Sequence, residues 1–95
     1  MTAVARLGDP IDCGDVIAGG SGNVFANGMP ITRVGPDLTA GHCYPAVPIL
    51  IGSPTVNVNN LPVAVVENRI PFHTCGSSTH DGEISSGSPD VFAEK

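Results

Sequence analysis

Tryptophan is absent, aromatic residues make up only 4% of the chain, and four Lys and Arg stand against nine Asp and Glu. Each shortage excludes something. A formal net charge of −5 has the wrong sign for gripping phosphate backbones through counterion release, so a nucleic-acid partner is not expected. No apolar run approaches the roughly 18 to 20 residues that span a bilayer, and the N-terminus lacks the basic-then-apolar order of a signal peptide. The expected product is made in the cytoplasm without a signal peptide. Three cysteines cannot pair off completely and give no disulfide framework.

What is abundant is Gly (12) and Pro (9), together more than a fifth of 95 residues, which excludes long helices and favours short strands joined by turns. A chain this short buries only about 60 to 65% of its unfolded surface, so one domain over residues 1–95 is expected, with something besides a core to hold it.

Laid against itself, the sequence repeats. Gly20-Ser21-Gly22-Asn23-Val24-Phe25, Gly52-Ser53-Pro54-Thr55-Val56-Asn57 and Gly87-Ser88-Pro89-Asp90-Val91-Phe92 recur at spacings of 32 and 35. Asn27-Gly28 and Asn59-Asn60 follow the first two copies, and these residues tolerate the positive φ of tight hairpins. Hairpins are predicted from Val24-Phe25-Ala26 to Ile31-Thr32-Arg33 and from Val56-Asn57-Val58 to Val63-Ala64-Val65. Pro30 and Pro62 open the return strands, where proline removes no ladder bond.

The third copy stops short of its return strand, but Ala3-Val4-Ala5-Arg6-Leu7-Gly8-Asp9 at the other end matches the missing piece. Residues 3–9 and 82–93 are therefore expected to complete a third repeat, closing the fold on itself and removing exposed edges. The fold class expected is all-β, three pseudo-repeated hairpins with pseudo-threefold symmetry, too few residues for a propeller.

Across nearly the whole chain this pattern resembles the PAAR-repeat proteins, named for a Pro-Ala-Ala-Arg stretch. That stretch corresponds to Pro30-Ile31-Thr32-Arg33, Pro62-Val63-Ala64-Val65 and Ala3-Val4-Ala5-Arg6, alongside Arg6-x-Gly8-Asp9, the Gly-Ser-x-x-Val units and Asn27-Gly28. Val65 replaces the arginine in one copy, and the Gly-Asp pair becomes Gly35-Pro36-Asp37 and Glu67-Asn68. The resemblance implies a pointed β-cone with a metal near its vertex, whose base caps the trimeric β-helical spike of a type VI secretion system or a contractile phage tail. It further implies one cone per trimer, transient contact with a target cell envelope, and a tip that pierces membranes mechanically. A monomer matches a threefold partner by imitating its symmetry. Because the repeat occupies almost the entire sequence, no fused effector domain is expected.

The candidate metal ligands all lie in the connectors after the Arg-type strands: Cys13 in the first, His42 and Cys43 in the second, His73, Cys75 and His80 in the third. Gly- and Pro-rich connectors bury little apolar surface, so an ion bound by imidazole and thiolate would supply a constraint that packing does not. His73-x-Cys75 with His80 five residues later puts three donors on one expected loop. The family pattern of three His and one Cys implies His42 as the fourth; Cys13 is the rival, since it precedes Gly20-Ser21 by seven residues as His80 precedes Gly87-Ser88. Cys13 and Cys43 read equally well as small buried apolar groups. One structural Zn2+ suits the mixed N/S donor set, with iron or copper as alternatives.

No catalytic residues are expected. Ser21, Ser53 and Ser88 recur at one repeat position, as turn-forming serines do, and a nucleophile would be singled out. A small zinc-dependent hydrolase is the alternative reading, but it needs an open coordination position beside a base such as Glu83, and four protein ligands would close the site. Glu67, Asp81, Glu83, Asp90 and Glu94 are expected to form a solvated acidic face.

Overall fold

The structure, a computed structural model, describes residues 2–41, 45–75 and 78–95, with only the backbone at 73, 75 and 78. The described residues contain eight strands and no helix: β1 (Thr2–Ala3), β2 (Phe25–Ala26), β3 (Met29–Pro30), β4 (Asn57–Val58), β5 (Leu61–Pro62), β6 (Arg69–Cys75), β7 (Ser78–Glu83) and β8 (Phe92–Ala93). All pair antiparallel, as β1–β8, β2–β3, β4–β5 and β6–β7.

The two short hairpins form where their turns dictate. Asn27 and Gly28 hold φ of 55° and 78°, and Asn59 and Asn60 hold 54° and 66°. Both central residues are left-handed, the turn whose twist matches that of the flanking strands. In the third copy no turn joins the strands: Thr2 pairs with Ala93 and Ala3 with Phe92, so the head of the chain completes the tail as the repeat predicts.

Past the hairpins, each return strand leaves its own partner for the next repeat. Ala5 N donates to Ala64 O (2.8 Å), Ala64 N to Thr32 O (3.0 Å) and Thr32 N to Ala5 O (3.0 Å), a ring of three backbone hydrogen bonds. Around it the same bonds recur. Ser21 N, Ser53 N and Ser88 N donate to Ile31 O, Val63 O and Val4 O, while Leu7 N, Val34 N and Val66 N donate to Pro30 O, Pro62 O and Ala3 O. No single repeat could satisfy these groups alone, and leaving them buried and unpaired would be costly.

Each Arg-type strand ends in a turn through a left-handed residue: Gly8 (φ 92°), Gly35 (115°) and Glu67 (75°). A buried side chain then caps the strand from below. Asp9 accepts from Arg6 N (2.7 Å), Asp37 from Arg33 N (2.8 Å) and Asn68 from Val65 N (2.8 Å). The extra Pro36 puts Asp37 one residue further along without changing this role.

Two apolar cores lie on either side of the ring. Val4, Ala26, Ile31, Val58, Val63, Val65 and Ala93 pack on the hairpin side; Ala5, Ile11, Ile17, Ile49, Ala64, Ile70 and Ile84 pack on the connector side. Among the described residues neither cluster contains an aromatic ring, and fit among small branched side chains replaces bulk.

The third connector departs from the expected loop. Residues 69–83 form an antiparallel ribbon, β6–β7, rooted in the connector-side core by Ile70 and Ile84. The first connector pairs with its base through the Ile11–Ile84 bridge and Asp12 N to Glu83 O (3.0 Å).

Candidate functional site

The repeat serines are turn formers. Ser21 Oγ accepts from Asn23 N and Val24 N, Ser53 Oγ from Thr55 N and Val56 N, and Ser88 Oγ from Asp90 N and Val91 N. Two of them also donate outward, Ser21 to Asn59 Oδ1 (2.7 Å) and Ser88 to Asn27 Oδ1 (2.6 Å), tying each turn to the hairpin tip of a neighbouring repeat. Arg33 and Arg6 reach the same two oxygens, at 3.2 Å each, while pairing with Asp37 (2.7 Å) and Asp9 (3.1 Å). The hydrogen bond that Arg33 donates to Asp37, and then the charge of Asp37, hold the guanidinium above its ordinary pKa. In the second copy, Val65 is buried where the arginines stand, and Thr55 instead donates to Glu94 at 2.6 Å.

The expected acidic face is only partly a free surface. Asp81 and Glu83 pair with Arg69 at 2.6 and 3.4 Å, and Glu67 pairs with Lys95 at 2.6 Å. Asp90 accepts from Asn27 at 2.7 Å.

Of the candidate metal ligands, His42 lies outside the described residues, as does Cys43. His73 and Cys75 are described by backbone alone. His73 on β6 is in register opposite His80 on β7, and Cys75 lies two residues along. Strand alternation therefore puts positions 73, 75 and 80 on one face of the ribbon. The spacing that suggested a loop is here a cross-strand arrangement. His80 is half-buried and its Nε2 is shielded from solvent. The opposite face carries Thr74 and Thr79, both exposed, with their hydroxyls 3.1 Å apart.

Gly82 shows what the donor-bearing face covers. A Cβ there would lie 2.9 Å from both Cys13 Sγ and Ile11 Cγ2, so the first connector packs directly under the ribbon face that position 80 shares. Cys13 is partly buried against the connector-side core, and this contact places it beside the donor face as well. The second connector runs along the first, through the Ile17–Thr39 bridge, Ala18 N to Leu38 O and Ala40 N to Val16 O, up to Gly41, the residue before His42. Among the described residues no cluster of three or more His, Cys, Asp or Glu donors converges. By backbone register, positions 73, 75 and 80 share one face of the ribbon, and Cys13 Sγ lies close to Gly82 on that face.

Sequence reasoning missed Gly82 and Asp15. Gly82 has no counterpart in the other repeats, and its only sequence signal is a glycine two residues past His80. Asp15 reads as an ordinary turn residue after Cys13-Gly14, yet it is buried.

The hairpin side exposes apolar groups. Phe25 and Phe92, at matching repeat positions, are 55% and 49% exposed, and Val56 and Val91 are exposed, whereas Val24 packs against the core. The valines of one repeat position thus divide between core and surface.

A scan against protein-family models finds no match for this chain, and a search of curated proteins likewise finds none.

Proposed function

We propose that this chain is a PAAR-type tip: a pointed β-cone with pseudo-threefold symmetry that caps the trimeric β-helical spike of a contractile injection machine, in a phage tail baseplate or a type VI secretion system. The observation that carries the reading is the hydrogen-bond ring through Ala5, Thr32 and Ala64, with its recurring Ser and Pro bonds. Three segments of one chain take equivalent places about a common centre, which is what a monomer needs to seat on a threefold partner.

The exposed Phe25, Phe92, Val56 and Val91 on the hairpin side supply an apolar base for that seat. An elongated envelope of 38 × 23 × 22 Å suits a cap that extends the spike axis. One structural zinc ion on the connector side, held by His73, Cys75, His80 and His42 with Cys13 as the rival, would cross-link the ribbon to the connectors and stiffen the end that meets the target envelope. The role is mechanical and requires no turnover.

Co-expression with a trimeric β-helical spike protein of such a machine tests the reading. Wild-type chain is expected to co-purify with that trimer. The double variant Phe25→Asp, Phe92→Asp is expected to be released while melting at the wild-type temperature. Wild-type chain that forms no complex would overturn the proposal.

A further inference from the structure

Asn27 precedes Gly28 in the exposed turn between β2 and β3. An asparagine before glycine is where a backbone amide most readily attacks a side-chain amide, because no Cβ screens the nitrogen. Among the described residues the Gly28 amide donates to no acceptor, and a Cβ built on Gly28 would meet nothing within 4 Å, so the nucleophile is neither bound nor packed. The electrophile is held firmly. Asn27 Oδ1 accepts from Ser88 Oγ at 2.6 Å and from Arg6 Nη1 at 3.2 Å, and Asn27 Nδ2 donates to Asp90 Oδ1 at 2.7 Å. Swinging the carboxamide carbon onto the Gly28 nitrogen means leaving these partners, two of which belong to the third repeat. The second hairpin has the same clasp, with Asn59 Oδ1 accepting from Ser21 Oγ at 2.7 Å and Arg33 Nη1 at 3.2 Å while Nδ2 donates to Asn23 Oδ1 at 2.9 Å. There, however, the next residue is Asn60, whose side chain crowds its own amide.

We propose that Asn27 is a site of spontaneous deamidation, restrained by the third repeat and coupled to it. The Gly28 nitrogen gives up its proton and bonds to Asn27 Cγ; the Cγ–Nδ2 bond breaks and the nitrogen leaves as ammonia with that proton. Water then opens the cyclic imide at either carbonyl carbon, giving aspartate or isoaspartate, so that overall one water is consumed and one ammonia released. Aspartate at position 27 has no donor for Asp90 and sets a second carboxylate against it, an arrangement that like charges oppose. Arg6, already paired with Asp9, offsets only part of that repulsion. Isoaspartate also lengthens the turn backbone and disturbs the Ala26–Met29 register. Either product loosens the first hairpin from the repeat in which head and tail of the chain pair, and the change is one-way.

The test is ageing of the folded chain at alkaline pH, followed by peptide mapping by mass spectrometry and assay of released ammonia. Asn27 is expected to convert faster than Asn59. Asp90→Ala removes the acceptor for Nδ2 and is expected to speed conversion of Asn27 about fivefold, the factor that one hydrogen bond of ordinary strength supplies. Should that variant not fold, wild type in urea gives the comparison, with conversion expected to be faster unfolded than folded. Asn27→Asp reproduces one product and is expected to melt below wild type. Adding Asp90→Asn, whose amide donates to the new carboxylate, is expected to recover the melting temperature. Asn27 that converts no faster in Asp90→Ala and in urea than in folded wild type, or no faster than Asn59 in the folded chain, would overturn the restrained site. Asn27→Asp that melts with wild type would overturn its coupling to the third repeat.

Discussion

Gly52→Ala adds a single methyl group at a point where two repeats touch. The φ of Gly52 is not in the left-handed region, so the substitution carries no conformational penalty of its own, and any effect comes from close approach. The new Cβ would lie 2.6 Å from Val63 O, 2.8 Å from Val34 Cγ2 and 2.9 Å from Pro62 Cβ, all nearer than the 3.0 Å that real Cβ atoms respect. Val34 can turn away. Val63 O cannot, because it accepts from Ser53 N at 2.9 Å, and Val63 N is itself bound to Val56 O at 3.1 Å. Relief therefore means parting the Gly52-Ser53 segment from the Val63 strand, at the expense of one or two buried backbone hydrogen bonds and some packing. That sums to about 2–4 kcal/mol, or a fall in melting temperature on the order of 10–25 °C for a domain of this size. The control is Gly22→Ala, which meets nothing within 4 Å and lacks a left-handed φ. It is expected to be neutral or stabilising by up to about 1 kcal/mol. Urea and thermal unfolding followed by circular dichroism, with chelator present so that metal content is the same throughout, measure both. If the two variants melt within about 3 °C of each other, the interlocked-repeat account of stability is wrong.

Arg33→Ala removes the guanidinium from Asp37 and Asn59 but leaves the Arg33 N–Asp37 hydrogen bond, and is expected to cost about 1–2 kcal/mol in urea unfolding after allowing for solvent screening. The Lys95 ammonium, by hydrogen bond and then by charge, holds Glu67 below its ordinary pKa of 4.5. Any stability from that pair is present above 4.5 and lost as pH falls through the lower folded value. Melting curves of wild type and Lys95→Ala are thus expected to converge in acid, and a gap that widens there would contradict the assignment. Gly82→Ala pushes Cys13 and Ile11 away from the ribbon. It is expected to lower both zinc content, by elemental analysis, and melting temperature; normal values for both would show that the ribbon does not sit on the first connector.

The repeat was readable because its determinants are local. Asn27-Gly28 and Asn59-Asn60 supply left-handed φ that few other pairs tolerate, and the Ser21, Ser53 and Ser88 turns need only a hydroxyl two and three residues before the amides it binds. Head-to-tail pairing of β1 with β8 followed from the matching residues at the two ends. The ribbon over residues 69–83 was harder to read. Pro71, His73 and the threonines give no apolar alternation, and its anchors, Ile70 and Ile84, are held by Ile11 and Ile17 from a distant part of the chain. Gly76-Ser77 is a hairpin signal of the Gly-x kind, but the donor residues around it suggested a loop wrapped about an ion. Asp15 and Gly82 were invisible for a different reason: each acts across connectors, through a contact that no repeat shares and no spacing encodes.

The tip reading meets its most direct test in the stoichiometry of the complex formed with a trimeric β-helical spike protein, measured by native mass spectrometry. The account predicts one copy of this chain for every three partner subunits, because the proposed reading seats the Ala5–Thr32–Ala64 ring of a single chain on all three of them. Equal numbers of the two chains, or a trimer that leaves the column bare, would contradict it.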